Sequence, residues 1–325
     1  MKAMIYTEYG PPEVLRLQEV EKPVPKENEV LIRVHAASVN AGDWHLLRAD
    51  PFFIRLMSGL LKPKNQILGW DISGRVEAVG AKVTQFKPGD EVFGCCSAGG
   101  FAEFASVSQE TIALKPAKMS FEETAAVPVA ALTALQGLRK GGGIQPGQKV
   151  LINGASGGVG TFAIQIAKSF GAEVTAVTST GKLEQARSLG ADFVIDYTKE
   201  DFTRNGKRYD RILAANGYHP ISAYSRALAP GGIYVMTGGS TAQMFQTTLF
   251  GPWFSMTGKR KMGGVMTKPN KKDLLFLKEL LEAGKIKPVM DRRYPLSEVP
   301  DAIRYLEAGH AKGKVVIILE HNNRT

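Results

Sequence analysis

The stretch Ile152-Asn153-Gly154-Ala155-Ser156-Gly157-Gly158-Val159-Gly160 decides the fold. An apolar run, Lys149-Val150-Leu151-Ile152-Asn153, leads into it and has the length of a buried strand. After it, Val159, Phe162, Ala163, Ile166, Ala167 and Phe170 recur at helical spacing, and Gly171 stops the pattern. A glycine-rich turn between strand and helix is where a dinucleotide fingerprint belongs, although Ala155 replaces the first glycine of the usual G-x-G-x-x-G. The glycines admit a pyrophosphate to the backbone, and the helix N-terminus offers free N–H groups and a positive dipole end. Ser156, Gly157, Gly158, Val159 and Gly160 are therefore candidate phosphate contacts. A tight turn without a ligand is the competing reading.

Moving outward, the next strand is Glu173-Val174-Thr175-Ala176-Val177, which runs into Thr178-Ser179-Thr180-Gly181-Lys182. An NAD site places Asp or Glu about twenty residues on, to hold the ribose hydroxyls. Here the strand ends in three hydroxyls and an ammonium, a set suited to a 2′-phosphate. Thr178, Ser179, Thr180 and Lys182 become NADPH candidates; the alternative is a polar turn that starts a helix. Strands and helices then alternate to Met236, which indicates a parallel, doubly wound sheet. Upstream, the first 120 or so residues read as short strands punctuated by Pro and Gly, such as Val30–Val34, Gly74–Val79 and Glu91–Phe93, suggesting a small barrel-like domain. Phe121 to Leu138 looks helical, with Pro128 as a break. The tail gives a strand after Pro288, a helix over Val299–Ala308 and a last strand, Val315–Leu319, read as returning to the first domain. The expected class is α/β, with a β-rich domain over residues 1–122 and 288–325 and a parallel-sheet domain over 123–287.

The chain of 325 residues is long enough for two cores. Its 44% hydrophobic and 22% charged residues are those of an ordinary globular protein. No run of eighteen apolar residues is present, and the N-terminus shows neither a secretory signal nor a transit peptide. Cys95 and Cys96 are adjacent and cannot build a structural zinc site, so a reducing cytoplasm is expected. The net charge of +10 is dispersed, densest at Lys259-Arg260-Lys261 with Lys268, Lys271 and Lys272 nearby. No helix-turn-helix, zinc-finger or RNA-recognition pattern accompanies it, so no nucleic-acid partner is expected.

Seven ordered motifs resemble the medium-chain dehydrogenase/reductase superfamily, most closely its zinc-free quinone oxidoreductase branch. They are Gly69-Trp70-Asp71-Ile72-Ser73-Gly74-Arg75-Val76, Phe86–Val92, Gly99-Gly100-Phe101-Ala102-Glu103, the 154–160 turn, Leu189-Gly190-Ala191-Asp192, Leu228-Ala229-Pro230-Gly231-Gly232 and Gly313-Lys314-Val315-Val316. The resemblance implies a GroES-like catalytic domain, a Rossmann nucleotide-binding domain, and nicotinamide and substrate in a cleft between them. The zinc-dependent alcohol dehydrogenases of the superfamily carry Cys where this chain has Asn40, and Gly-His-Glu where it has Gly69-Trp70-Asp71. Their proton relay needs a hydroxyl where Gly42 stands, so His45 reads as a packed or surface histidine. No metal is expected, because Asn40 and Trp70 are poor zinc ligands.

Without a Lewis acid the substrate must be electrophilic already, as quinones and α,β-unsaturated carbonyls are. The resemblance places Asn40 and Asp43 by the nicotinamide and substrate, Asn40 as a donor to the substrate oxygen and Asp43 as a catalytic or merely loop-orienting group. It places Thr133 near the carboxamide and Tyr197 on a phosphate, a core tyrosine being the alternative. Asn216, Gly238 and Lys314 are further cofactor candidates. Trp70, Phe250 and Trp253 are candidates for the substrate cleft, and the segment Phe245 to Gly263 for part of a homodimer surface or a weak membrane-surface contact. A zinc-free alcohol or aldehyde dehydrogenase and a cofactor-binding scaffold with little turnover are the competing functions.

Overall fold

In the computed structural model, which describes residues 1–257 and 260–320 without the side chains of Trp253, Phe254 and Thr257, two sheets organise the chain. Lys259 and residues 321–325 therefore lie outside the described residues. The chain divides into two compact units: residues 1–129, 269–282 and 288–325, and residues 130–268 with 283–287. The helix Lys271–Glu282, which the sequence groups with the nucleotide domain, falls in the first unit. Its apolar face of Leu274, Leu277, Leu280 and Leu281 is buried there, and it packs against the strand Ile112–Leu114.

In the first unit, a seven-stranded sheet runs in the order Met290–Pro295, Lys314–Ile318, Glu29–Val39, Asp71–Val79, Glu91–Cys95, Ile112–Leu114, with Phe104–Ser108 also pairing Glu29–Val39. All its pairings are antiparallel except the first. Eleven residues long, Glu29–Val39 reaches three partners, and its far end delivers Ser38 to Asp71 across the ladder. Val30, Ile32, Val34, Ile72, Val92, Phe101, Val315, Ile317 and Ile303 share one core. Each such side chain contributes about 1.5–3 kcal/mol on burial. The helix Ala41–Arg48 starts where this long strand stops.

The second unit holds six parallel strands in the order Phe193–Asp196, Glu173–Thr178, Lys149–Asn153, Tyr209–Ala214, Leu228–Met236, Lys261–Gly264. Numbered along this sheet the order is 3-2-1-4-5-6, the doubly wound dinucleotide-binding arrangement. Val150, Leu151 and Ile152 are fully buried, as a central strand with both faces covered requires. The helix Gly158–Ser169 is buried from Gly160 to Ala167, and Gly171 closes it at φ +78°. Pro128 opens the helix Pro128–Arg139, at a first-turn position where its missing N–H costs nothing. The segment beginning at Phe245 lies on the helix Thr241–Thr257, which contains Pro252. Among the described residues no helix is long and apolar enough to cross a membrane.

Candidate active site

The carboxyl ends of the parallel strands gather most of the expected cofactor residues. Gly154 turns the chain at φ +84°, and a Cβ on it would meet the Cβ of Asn216 at 2.7 Å. A Cβ on Gly160 would lie 2.1 Å from the Gly154 carbonyl, so only glycine lets the helix Gly158–Ser169 approach the strand before it. Gly157, the N-cap, is uncrowded, the nearest atom to a Cβ built on it being the Gly154 carbonyl oxygen at 3.9 Å, which leaves the room a phosphate cradle needs. The neighbouring strand ends support this turn. The backbone N–H groups of Ala215 and Asn216 both donate to the Asn153 carbonyl, and Gly217 N–H donates to the Gly238 carbonyl. Asn216 is exposed and Gly238 half-buried at this edge. Thr133 lies buried on Pro128–Arg139, its hydroxyl against that of Thr267.

The turn after the second strand is Thr180–Lys182, one turn of 3-10 helix. Thr178 Oγ1 is buried without a hydrogen-bond partner, an orphan that a ligand can satisfy. Tyr197 is no core tyrosine: its side chain is 49% exposed, its ring is tilted against Tyr218, and its N–H bonds the Thr178 carbonyl. These features fit a dinucleotide phosphate and ribose site. One group escaped the sequence reading. The second strand ends without an acid, but Asp196 at the end of the adjacent strand accepts a hydrogen bond from the Thr180 hydroxyl. The signal was an Asp followed two residues later by Thr, an Asx-turn pattern, whose hydrogen bonds Thr198 supplies.

A second polar cluster lies inside the first unit. Asp71, fully buried, accepts four hydrogen bonds. Its Oδ2 receives Ser38 Oγ at 2.8 Å, Asn40 Nδ2 at 3.0 Å and Lys314 Nζ at 3.0 Å, and its Oδ1 receives the Val129 N–H at 2.7 Å. Lys314 Nζ also donates to Asn40 Oδ1 at 2.6 Å. With its side chain 3% exposed, Lys314 is spent on this ion pair and does not present its ammonium to a cofactor, against the expectation. The Asn40 amide is likewise engaged at both ends, its Nδ2 also reaching the Ser38 carbonyl at 3.4 Å. The free donor expected for a substrate oxygen is therefore turned inward.

Asp43 is also fully buried. It accepts the Asn40 N–H at 2.7 Å and the Gly69 N–H at 3.0 Å, so it ties the start of Ala41–Arg48 to the Gly69 loop. Burial pushes its carboxyl up to about 7, against the lowering effect of those two N–H groups. Each of its oxygens thus receives a backbone N–H that fixes the loop.

Zinc does not fit here. Asn40 and Trp70 stand at the positions of two zinc ligands in the zinc-dependent branch, and the oxygens of Asn40 and Asp71 already hold an ammonium. Trp70 occupies the adjacent space: a Cβ on Gly42 would lie 2.6 Å from its indole Cη2. His45 is half-buried, with Nδ1 2.6 Å from the Asp50 carbonyl oxygen and its ring stacked on Trp44. Beside Trp70 a cavity of about 140 Å³ is lined by Tyr6, Leu46, Met57, Leu68 and Ser97. Phe250 is exposed on the other unit, and the Trp253 side chain lies outside what the structure describes.

Strand order and glycine turn define the class: an α/β protein with a dinucleotide-binding sheet and a second, antiparallel β unit. Residues 26–117 match the family model for the alcohol dehydrogenase GroES-like domain, and residues 189–317 the model described as zinc-binding dehydrogenase. The chain is 39% identical to 2-methylene-furan-3-one reductase of Solanum lycopersicum, over 98% of this chain and 79% of the relative. It is 36% identical to the chloroplastic NADPH-dependent alkenal/one oxidoreductase of Arabidopsis thaliana, again over 98% and 79%. The solved quinone oxidoreductase from Coxiella burnetii superposes with a TM-score of 0.88 at 31% identity, covering 98% of this chain and 99% of that one. The chain belongs to the medium-chain dehydrogenase/reductase superfamily, in its quinone oxidoreductase-like branch.

Proposed function

We propose that this protein is a zinc-independent, NADPH-dependent reductase of quinones or α,β-unsaturated carbonyls. The observation that carries the reading is the Lys314–Asp71–Asn40 cluster: Asn40, standing where the zinc-dependent branch carries Cys, commits its amide oxygen to a buried ammonium. The tomato and Arabidopsis relatives, named for methylene-furanone and alkenal/one substrates, support the acceptor class. NADPH, when bound, supplies a hydride to an electrophilic carbon of the acceptor. The backbone of Ser156–Gly160 holds the pyrophosphate at the helix N-terminus. Ser179 and Lys182 attract the 2′-phosphate, Tyr197 flanks it, and Thr133, Asn216 and Gly238 line the rest of the dinucleotide site. Asn40, fixed by Lys314 and Asp71, and Asp43, fixed by two backbone N–H groups, are positioning residues for the Gly42–Trp70 surface. An acceptor already polarised by conjugation needs orientation more than acid–base help, and the proton that follows hydride comes from solvent.

The protein acts as a homodimer in this reading, joined through the edge strand Lys261–Gly264, which among the described residues pairs only with Leu228–Met236. Exposed Phe245, Leu249, Phe250 and Met266 near that edge add apolar area. Buried free Cys95 and Cys96 suit the reducing cytoplasm. Turnover of NADPH with a panel of quinones, enones, aldehydes and alcohols tests the proposal: reduction of the conjugated acceptors alone supports it, and activity confined to simple aldehydes and alcohols contradicts it.

A further inference from the structure

We propose that Asp196 sets cofactor selectivity by fixing the direction of the Thr180 hydroxyl, so that the site accepts NADH alongside NADPH. The inference rests on the reading that the turns 154–160 and 178–182 hold a nicotinamide dinucleotide. Asp196 ends its strand in direct register with Thr178. Its Oδ1 receives the Thr198 N–H at 3.0 Å and the Thr198 hydroxyl at 2.7 Å, and its Oδ2 receives the Thr180 hydroxyl. The side chain is only 9% exposed, and these hydrogen bonds, that of Thr180 foremost, lower its carboxyl below the usual range.

An ionised carboxylate has no proton to give. The Thr180 hydroxyl must therefore be the donor, which leaves only lone pairs on its open side. Thr180 is exposed, so a ligand reaches that side. The Thr198 hydroxyl, 3.3 Å from Thr180 Oγ1, gives its own proton to Asp196 and does not change this. A ribose 2′-hydroxyl can donate to Thr180. A 2′-phosphate at neutral pH presents acceptor oxygens and negative charge, so it meets lone pairs with a carboxylate behind them. Lys199 Nζ, 3.8 Å from Asp196 Oδ2 and largely exposed, screens this charge weakly. Ser179 and Lys182 pull toward NADPH, while Asp196, acting through Thr180, pulls back.

Asp196→Asn inverts the arrangement with little change of shape. The amide oxygen keeps the Thr198 turn, and Nδ2, now a donor to Thr180 Oγ1, turns the Thr180 hydroxyl proton toward the ligand. Dissociation constants for NADPH and NADH are measured by fluorescence titration of the full chain. The expected result is NADPH binding about ten-fold tighter and NADH weaker, the size of one charge-assisted hydrogen bond gained. Retained NADH binding reports an intact site. In a Thr180→Ala background the same substitution should lose its effect on NADH and keep only part of its gain for NADPH. An unchanged NADPH/NADH ratio overturns this inference alone, as does a shift of equal size with and without the Thr180 hydroxyl. Failure of the wild-type protein to bind either dinucleotide overturns the underlying reading, and this inference with it.

Discussion

Lys182 closes the turn that follows the second strand, at which the proposed function puts the 2′-phosphate of NADPH or the 2′-hydroxyl of NADH. One charge-assisted contact is worth about 1.5–3 kcal/mol, less where solvent screens it. Lys182→Ala should weaken NADPH about ten-fold and leave NADH nearly unchanged; titration with both dinucleotides checks this, and equal losses would remove the 2′-phosphate from this turn. Asp43 has a consequence for stability. Its folded carboxyl is pushed up to about 7 from the usual 3.8, mainly by burial. The folded state thus holds the proton across a window in which the unfolded chain has released it. The contribution of Asp43 to stability is fully present below about pH 4 and declines as pH rises toward 7. Carboxylates such as Asp192 and Asp196, whose pKa values are lowered, act in the opposite sense, so the contribution is read from thermal unfolding of wild type and Asp43→Asn in parallel. The wild type should lose stability relative to Asp43→Asn between about pH 4 and 7, and a difference that stays constant or grows in favour of the wild type would refute the assignment.

At the scale of elements, the strand–turn–helix over 149–169 was legible because each signal is local: an apolar run, glycines at fixed offsets and helical spacing. The strand candidates of the β unit were legible for the same reason, as were the terminal strand, helix and strand. The buried network was not. Ser38, Asp71, Val129 and Lys314 are far apart in sequence, and only the sheet register and the packing of the start of the helix Pro128–Arg139 bring them together. That positions 40 and 70 hold Asn and Trp was visible in the sequence, whereas the ammonium held by Asn40 and Asp71 emerges only in three dimensions. Asp196 was missed because the carboxylate reaches Thr180 from a neighbouring strand. Between Ala41–Arg48 and the Gly69 loop, Gly42 and Trp70 form a matched pair in one contact. Gly42→Ser, which restores the relay hydroxyl of the zinc branch, should cost about 1–3 kcal/mol by overpacking. Trp70→Ala should recover most of that loss in a double-mutant cycle followed by denaturant unfolding; additive losses would show that the two side chains do not compete.

For the whole molecule, the exposed edge at Lys261–Gly264 and the apolar side chains near it predict a dimer at micromolar concentration in sedimentation equilibrium. A monomer throughout would leave that edge without its proposed partner. The proposed function requires reduction from NADPH to proceed without a metal. Asn40, Trp70 and the Lys314–Asp71 ion pair leave no ligand set, and among the described residues no cluster of His, Cys, Asp and Glu could hold a metal ion. NADPH-dependent reduction of an enone, followed before and after a strong chelator with zinc measured in the same sample, tests this most directly. The rate should be unchanged at well under one equivalent of zinc per chain, whereas activity lost to chelation and restored by added zinc would contradict both the site assignment and the mechanism.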